Sequence, residues 1–336
     1  LSSKILQPGL LTTMQDGGRY GFQKDGIIVS GAMDRLSLRM GNLLVGNQEN
    51  QASIEVIQVG PTILFQENCV LAITGANLSP AINSQPVPMW RPVSVEKNSI
   101  LSFGKSIQGC IAYISVAGGL AIPTVLGSYS TYLRAKLGGW HGRALQKNDC
   151  IPFNQTNGFL LKRTKTVKMA EGFSYPGWSL EPSFYHLYQS NPVIRVMPGP
   201  EYAWFTQESK NTFWQNPFRI TYSSDRMGYR LEGQPLILKH KRELLSTAVT
   251  FGTIQVPPKG NPILLMADHQ TTGGYPRIAQ VASVDLPLIA QASPGVCLYF
   301  QEISLKMAQH LYFLQERKVK AIKNTLNRYY LKDLLQ

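Results

Sequence analysis

Phe251-Gly-Thr-Ile-Gln255-Val-Pro-Pro and, a few residues on, Met266-Ala-Asp268-His-Gln270-Thr271-Thr272-Gly273-Gly274-Tyr275-Pro-Arg277 are the stretches on which the reading of this chain turns. Gly252 to Val256 and Pro262 to Met266 are short apolar runs bounded by glycine or proline, the signature of buried strands. Each run ends in polar, uncharged side chains. A threonine pair, a glycine pair and Tyr275 then follow. Glycines allow positive φ and close approach of another group, and successive N–H groups in such a turn can form an anion-binding concavity. Two readings stand at this level: a hairpin turn capped by threonines, or a site that grips carboxylate, amide or phosphate oxygens without a charge of its own.

Working outward, further strand signals occur at residues 62–65, 70–74, 99–103, 111–116, 193–196, 219–222, 235–238 and 296–300. Most are bounded by Gly, Pro, Asn or Ser. That favours a mainly β barrel or sandwich plan over alternating βα units. Helices are few. Met33, Leu36, Met40 and Leu43 share one helical face, with Asp34 placed to cap its start. Leu311, Leu314, Val319, Ile322, Leu326 and Tyr330 recur at near-helical spacing among basic residues, predicting a C-terminal amphipathic helix that packs on its own barrel or on a partner. Between 170 and 191 the pattern lapses into Gly, Pro and scattered aromatics, as a connector would. The expected domains are an N-terminal lobe 1–190, a second lobe 191–303 and a basic helix 304–336.

Composition narrows the function classes. Of 336 residues 43% are hydrophobic and only 16% charged, so the chain is globular and rich in buried strand. The net charge is +13, but seven Lys or Arg against two acids lie in residues 304–336. Elsewhere the aromatics are not interleaved with basic clusters as a single-strand-binding groove requires. Nucleic acid is therefore not expected as a partner; acidic small molecules or an acidic protein partner suit the charge better. Cys69, Cys110, Cys150 and Cys297 are tens of residues apart and read as thiols of a reducing compartment. No signal-peptide pattern opens the chain, and the longest uncharged stretch, 106–133, is broken by Gly118, Gly119, Pro123 and Gly127. A cytoplasmic location without membrane attachment is expected. The five histidines are isolated, so no metal site is expected. Gly104-Lys105-Ser106 lacks the upstream glycine of a phosphate loop, which position 99 fills with serine.

A resemblance is carried by motifs spread from about residue 8 to about residue 300. They are Pro8-Gly9, Gln15-Asp16-Gly-Gly-Arg19, Ser30-Gly31-Ala-Met-Asp34, Gly41-Asn42, Gly46-Asn47, Glu55, Gly60-Pro61 and Thr74-Gly75-Ala76. Gly118-Gly119, Gly127-Ser128-Tyr-Ser130-Thr131, Gly138-Gly139, Ser224-Asp225-Arg226-Met-Gly228-Tyr-Arg230 and the opening stretches complete the set. In this order they resemble the family of 5-oxoprolinase C subunits, also called KipI antagonist or allophanate hydrolase subunit 2. The same module is found in the carboxyltransferase region of urea carboxylases. The resemblance implies two cyclophilin-like β-barrel lobes. It also implies work with a KipI-like B subunit and an A subunit in opening 5-oxo-L-proline to L-glutamate at the expense of ATP, bound with Mg at the level of the complex. Two alternatives come with it. One is biotin-dependent carboxyl transfer to a urea-type amide, with biotin on a separate carrier protein. The other is a non-catalytic antagonist of a KipI-like inhibitor of a sensor kinase.

The candidate site residues follow from their chemistry. Asp268, an acid at the end of a buried strand, is the candidate general base or metal-orienting group. Gln255, Gln270, Thr271, Thr272 and Tyr275 would orient substrate, and the Gly273-Gly274 turn would hold anionic groups. Arg226 and Arg230 beside Gly228 suggest an oxyanion clamp, with pairing to Glu232 as the competing account. Asp16 and Arg19 sit three apart across two glycines, where they either hold a polar substrate or pin a turn as an ion pair. Ser128, Ser130 and Thr131 offer hydroxyls. The expected site is a cleft lined mostly by neutral hydrogen-bonding groups, taking a lactam or urea-type compound.

Overall fold

The structure, a computed structural model, describes residues 2–154, 168–181 and 190–331. Residues 182–189 of the expected connector lie outside the described residues, as do 155–167 of the first expected lobe and 332–336 of the tail. The chain divides into two compact units. One gathers the described residues of 1–18, 34–186 and 318–336; the other gathers those of 19–33 and 187–317. Set beside the expected limits of 190 and 303, residues 19–33 group with the second unit and the terminal helix is divided near its middle.

The first unit is built from two antiparallel sheets. One runs, in spatial order, Cys150–Pro152, Ser2–Gln7, Thr62–Phe65, Ile100–Ser102, Ala81–Ile82 and Gln85–Pro86. The other runs Lys168–Ala170, Phe173–Tyr175, Pro92–Val95, Cys69–Asn77, Gln108–Val116, Ser53–Ile57 and Leu11–Gln15. Their facing side chains form one core, in which Ile5, Ile63, Phe65 and Leu101 meet Met14, Ile54, Leu71, Ile73 and Ile114. Strand side chains alternate between faces, so along Cys69–Asn77 Leu71 and Ile73 enter that core while Thr74 faces the other way.

Helix Arg35–Leu44 covers that opposite face. Asp34 caps it as expected, its carboxylate accepting from the Ser37 N–H at 2.9 Å and the Ser37 hydroxyl at 2.6 Å. The Thr74 hydroxyl donates to the Ser37 carbonyl at 2.7 Å. A Cβ at Gly41 would stand 2.6 Å from Ser115 Oγ, so the helix rests on the sheet because that position is glycine. Beneath it, the fully buried Tyr113 hydroxyl donates to Glu55 at 2.7 Å and accepts from the Asp34 N–H at 2.8 Å. Burial, then the negative charge of Glu55, pushes the Tyr113 phenol well above its ordinary pKa, so it remains a donor. Residues of the terminal helix from 318 onward belong to this unit. Val319 and Leu326 are buried, and Lys323 pairs with Glu49 at 2.9 Å.

The second unit closes into a seven-stranded barrel. Its order is Val193–Pro198, Arg277–Val281, Thr253–Gln255, Ile263–Leu265, Gly228–Glu232, Phe218–Ile220 and Cys297–Glu302, and the last strand returns to the first in a parallel pair. Phe213, from helix Gln207–Gln215, stacks on Phe300 at 4.7 Å and packs beside Phe218. That helix was not foreseen, although Thr206 caps it by accepting from Ser209 N. The strand expected at 235–238 is absent as a strand. Pro235 has no N–H to give a ladder, and Leu238 makes only an isolated bridge to Phe205. Through residue 317 the terminal helix belongs to this unit, where Ala308 and Leu311 pack with Ala282, Val284, Met197 and Ile303.

Among the described residues no helix is long and apolar enough to cross a membrane, and no group of His, Cys, Asp and Glu could hold a metal ion. The four cysteines are free, and burial pushes the Cys69 thiol up to about 12.

Arg277 grips Glu201 through two guanidinium bonds of 2.7 Å, and its backbone N–H adds a third of 3.0 Å. Burial acts to raise the Glu201 carboxyl, but these donors outweigh it and hold the group below the usual carboxylate range. A depressed carboxyl contributes stability that is present above its unfolded pKa and is lost as pH falls through the folded one. Glu201→Gln should therefore cost about 2 kcal/mol at pH 7 and flatten the decline of stability below about pH 4.5. Urea titrations across pH check this; an unchanged acid limb would contradict it.

Candidate functional site

Two buried carboxylates, one in each unit, organise the loops from which the expected site residues come. In the first unit Asp16 follows strand Leu11–Gln15 and is 4% exposed. One of its oxygens accepts from Gly18 N–H at 2.8 Å, from the Ser128 hydroxyl at 2.8 Å and from the Ser130 hydroxyl; the other accepts from Tyr129 N–H at 2.7 Å. The loop is tied again at Thr131, whose N–H and hydroxyl both donate to the Met14 carbonyl, at 2.9 and 3.0 Å. Gln15 Nε2 donates to the Thr131 carbonyl at 3.2 Å. Gly139, at φ +55°, lies so close that a Cβ there would stand 1.8 Å from Thr131 Oγ1. The structure thus brings Asp16, Ser128, Ser130 and Thr131 together, with the two serine hydroxyls directed to the carboxylate. Arg19 is fully buried and falls in the second unit, its N–H donating to the Val29 carbonyl at 2.7 Å.

In the second unit Asp268 follows strand Ile263–Leu265, and Arg226 precedes strand Gly228–Glu232. Arg226 holds both Asp268 oxygens in a fork, Nε to one and Nη2 to the other, each at 3.0 Å. The Arg226 Nη2 also donates to the Gly31 carbonyl at 2.6 Å, and the Ser30 hydroxyl donates to Asp268 at 2.7 Å. The backbone repeats the link, Asp268 N–H donating to the Arg226 carbonyl at 2.8 Å. Ser30 (φ 56°) and Gly31 (φ 95°) take left-handed backbone to present these groups. This setting differs from that of an open base or an open oxyanion clamp, because the acid and the arginine expected to act on substrate hold each other. Arg230 is separated from them and exposed, its N–H donating to Ser224 Oγ at 3.0 Å. Glu232 pairs with Arg219 at 2.8 Å rather than with Arg226 or Arg230.

The neutral residues gather elsewhere in the same unit. Gln255 ends strand Thr253–Gln255 and is 2% exposed. Gly273 pairs with Thr247 in the small ribbon formed by Thr247–Ala248 and Thr272–Gly273. A Cβ built at Gly273 would stand 2.9 Å from Gln255 Oε1 and 3.6 Å from Gln270 Nε2, so Gln255, Gln270 and Gly273 are neighbours. Thr271 accepts through its carbonyl from Val249 N–H at 3.2 Å, Thr272 lies exposed in the ribbon, and Tyr275 is 41% exposed. Gly274 has the Leu244 carbonyl and Ser246 Oγ beside it.

Sequence reasoning assigned no role to Ser30, His269 or Thr247. Ser30 lies within a quoted motif, but only folding brings it to Asp268, 238 positions away. His269 is buried, its Nδ1 2.6 Å from the Gln270 carbonyl. Adjacency to Asp268 was its one available signal.

The family described as "Carboxyltransferase domain, subdomain A and B" matches residues 25–302. The chain belongs to this family. Among the relatives of this carboxyltransferase-family chain is the 5-oxoprolinase C subunit of Haemophilus influenzae, 40% identical over 307 residues that span 91% of this chain and 93% of the relative. The corresponding C subunit of Escherichia coli 5-oxoprolinase is 38% identical, spanning 91% and 92%. The crystal structure of the Kluyveromyces lactis urea carboxylase superposes with a TM-score of 0.86 at 28% identity, over 96% of this chain and 29% of that one. The mainly β fold with its closed barrel is thus that of a carboxyltransferase module.

Removing the Asp268 carboxylate leaves the Arg226 charge buried without it, a change that costs roughly 3–5 kcal/mol. Asp268→Ala should therefore lower the unfolding free energy by about that amount, whereas Ser30→Ala should cost only about 1–2 kcal/mol. Denaturant titration of both variants checks the order. An Asp268→Ala chain as stable as the parent would show that the pair does not hold the fold.

Proposed function

We propose that this chain is the C subunit of an ATP-dependent 5-oxoprolinase, acting with a KipI-like B subunit and an A subunit in the cytoplasm to convert 5-oxo-L-proline to L-glutamate. The observation that carries the reading is the 40% identity, over nearly the full length of both chains, to a protein named as that subunit. The site chemistry supports it. A lactam is neutral and planar, and Gln255, Gln270, Thr271 and Thr272 supply neutral donors and acceptors around a glycine pair. Asp268 and Arg226 then act as positioning residues in the unit that carries these groups, and Asp16 holds the hydroxyl-bearing loop 128–131 of the first unit. Arg230, exposed in the same unit, is available to the carboxylate of the substrate, whereas Gly273 is a buried ribbon residue and neither it nor Gly274 takes the left-handed backbone expected of an anion-binding turn.

The reaction needs activation because amide resonance protects the lactam carbonyl. Phosphorylation of the lactam oxygen by ATP removes that resonance and provides a leaving group. Water then adds to the carbon, the C–N bond of the tetrahedral adduct breaks to free the amine and leave a γ-acyl phosphate, and a second water displaces phosphate to give the γ-carboxylate. Gly104-Lys105-Ser106 does not suit a nucleotide phosphate, being an exposed segment whose Ser106 hydroxyl donates to the Gly109 carbonyl at 2.7 Å. We assign ATP and its Mg to the assembly rather than to this chain.

The family match and the superposition on a urea carboxylase favour a second reading, carboxyl transfer from biotin on a separate carrier to a urea-type amide. Co-expression with the KipI-like B subunit and the A subunit distinguishes the two. The first reading expects glutamate release that requires 5-oxoproline, ATP and all three chains, measured by coupled assay. Carboxylation of urea dependent on a biotinylated carrier, with no glutamate released, would replace it with the second. Binding to the KipI-like chain without turnover in any combination would leave only a regulatory role.

A further inference from the structure

The Gln255 carboxamide is a buried polar group without a partner. Its Oε1 is out of solvent and accepts no hydrogen bond, and neither end of the amide is bonded among the described residues. Buried side-chain amides are nearly always satisfied, so one that is not points to a missing water or ligand. Close by is a second such group. Thr247 Oγ1 is also buried and unbonded. Thr247 lies opposite Gly273 in the ribbon, and residues paired across strands project to the same face. The vector on which a Gly273 Cβ would lie leads to Gln255 Oε1 at 2.9 Å, so the Thr247 side chain and the Gln255 head occupy the same side of the ribbon. The strand itself turns Gln255 there: its register against Arg277–Val281 shifts between Ile254 and Gln255, and a bulge re-aims the side chain it displaces.

We propose that Gln255, with Thr247, reads the cis-amide edge of the substrate, which refines the function proposed above and rests on it. A lactam ring forces its N–H and C=O onto one edge. A carboxamide presents an acceptor and a donor at matching separation, so the pair closes two hydrogen bonds: lactam N–H to Gln255 Oε1, and Gln255 Nε2 to the lactam oxygen. Rotation about the terminal bond exchanges the two ends of the amide, so the lactam is read in either of two orientations, each closing both bonds. The Thr247 hydroxyl supplies a further donor to the lactam oxygen. A Cβ at Gly273 would stand 2.9 Å from Gln255 Oε1 and 3.2 Å from Val249 Cγ1, so glycine lets the ribbon lie directly against the carboxamide, and that ribbon is only two residues long on each strand, a cover that opens at low cost. The opened product carries a carboxylate in place of the lactam C=O and an ammonium no longer fixed beside it, so it cannot close both bonds at once. The pocket therefore prefers substrate to product. Urea presents the same edge, so the shared chemistry is a planar amide with N–H and C=O side by side.

The test measures binding of 5-oxo-L-proline, its N-methyl analogue, L-glutamate and urea to the full chain by NMR titration, alone and co-expressed with its partner subunits. The parent chain should bind 5-oxoproline at least about tenfold more tightly than the N-methyl analogue or glutamate, because a site built to bond an N–H rejects a ligand lacking it. In Gln255→Leu that ratio should fall to about one, and in Thr247→Val affinity for the lactam should weaken while the preference over the N-methyl analogue survives. A loss of preference is not what a structural role alone would give, and circular dichroism confirms folding. Tighter binding of urea than of 5-oxoproline, with the same dependence on Gln255, would keep this pocket and overturn the substrate assigned above. Equal binding of the N-methyl analogue, no binding of either amide, or unchanged 5-oxoproline turnover by an assembly carrying Gln255→Leu would overturn the pocket, and the last would leave the proposed function standing.

Discussion

The buried fork between Arg226 and Asp268 is the constraint on which the second unit depends. It links the end of one barrel strand to the start of another, and through Ser30 and the Gly31 carbonyl it fastens residues 19–33 to the same point. A charge pair out of water gives little net stability over an apolar replacement, but losing one member is costly. Such a pair enforces one arrangement of the separate pieces of chain it joins. Asp16 does the same in the first unit without a cation: two backbone N–H groups and two serine hydroxyls satisfy it, and loop 128–131 is held in consequence.

This division of labour shapes the functional reading. The charged residues that look catalytic in the sequence are occupied in holding backbone, while the amide and hydroxyl groups around Gly273 are not. The neutral, planar lactam group of the substrate gains from such a surface. Its carboxylate finds Arg230 exposed in the same unit, since Arg226 is already committed to Asp268. The chain's kinship with 5-oxoprolinase C subunits and with urea carboxylase is consistent in this respect, since both names refer to amide-like compounds.

Much of the fold was legible because the strands obey simple patterns. Thr62–Phe65 and the runs at 111–116 and 263–266 are apolar and bounded by turn formers, and Asp34 signals a helix start that the structure keeps. Ser53–Ile57 was hidden because Glu55 sits in its centre. A buried carboxylate is unreadable until its partner Tyr113 is found 58 positions away. Pro235 to Leu238 misled in the other direction, an apolar run in which Pro235 has no N–H and those of Leu236 and Ile237 go to the Gly260 carbonyl and Ser209 Oγ instead of a ladder. At the site, residue types were legible and pairings were not. Nothing near Arg226 in sequence says that Asp268 rather than Glu232 fills its fork, because barrel closure makes that choice.

The central claim is that charge here holds the loops while neutral groups are left for the ligand. A crystal structure of the chain with 5-oxo-L-proline tests it most directly. The account expects the lactam edge against Gln255 beneath Gly273, with the Arg226–Asp268 fork and the Ser30 bond unchanged. A lactam seated on Arg226 or Asp268 with that fork opened would contradict it.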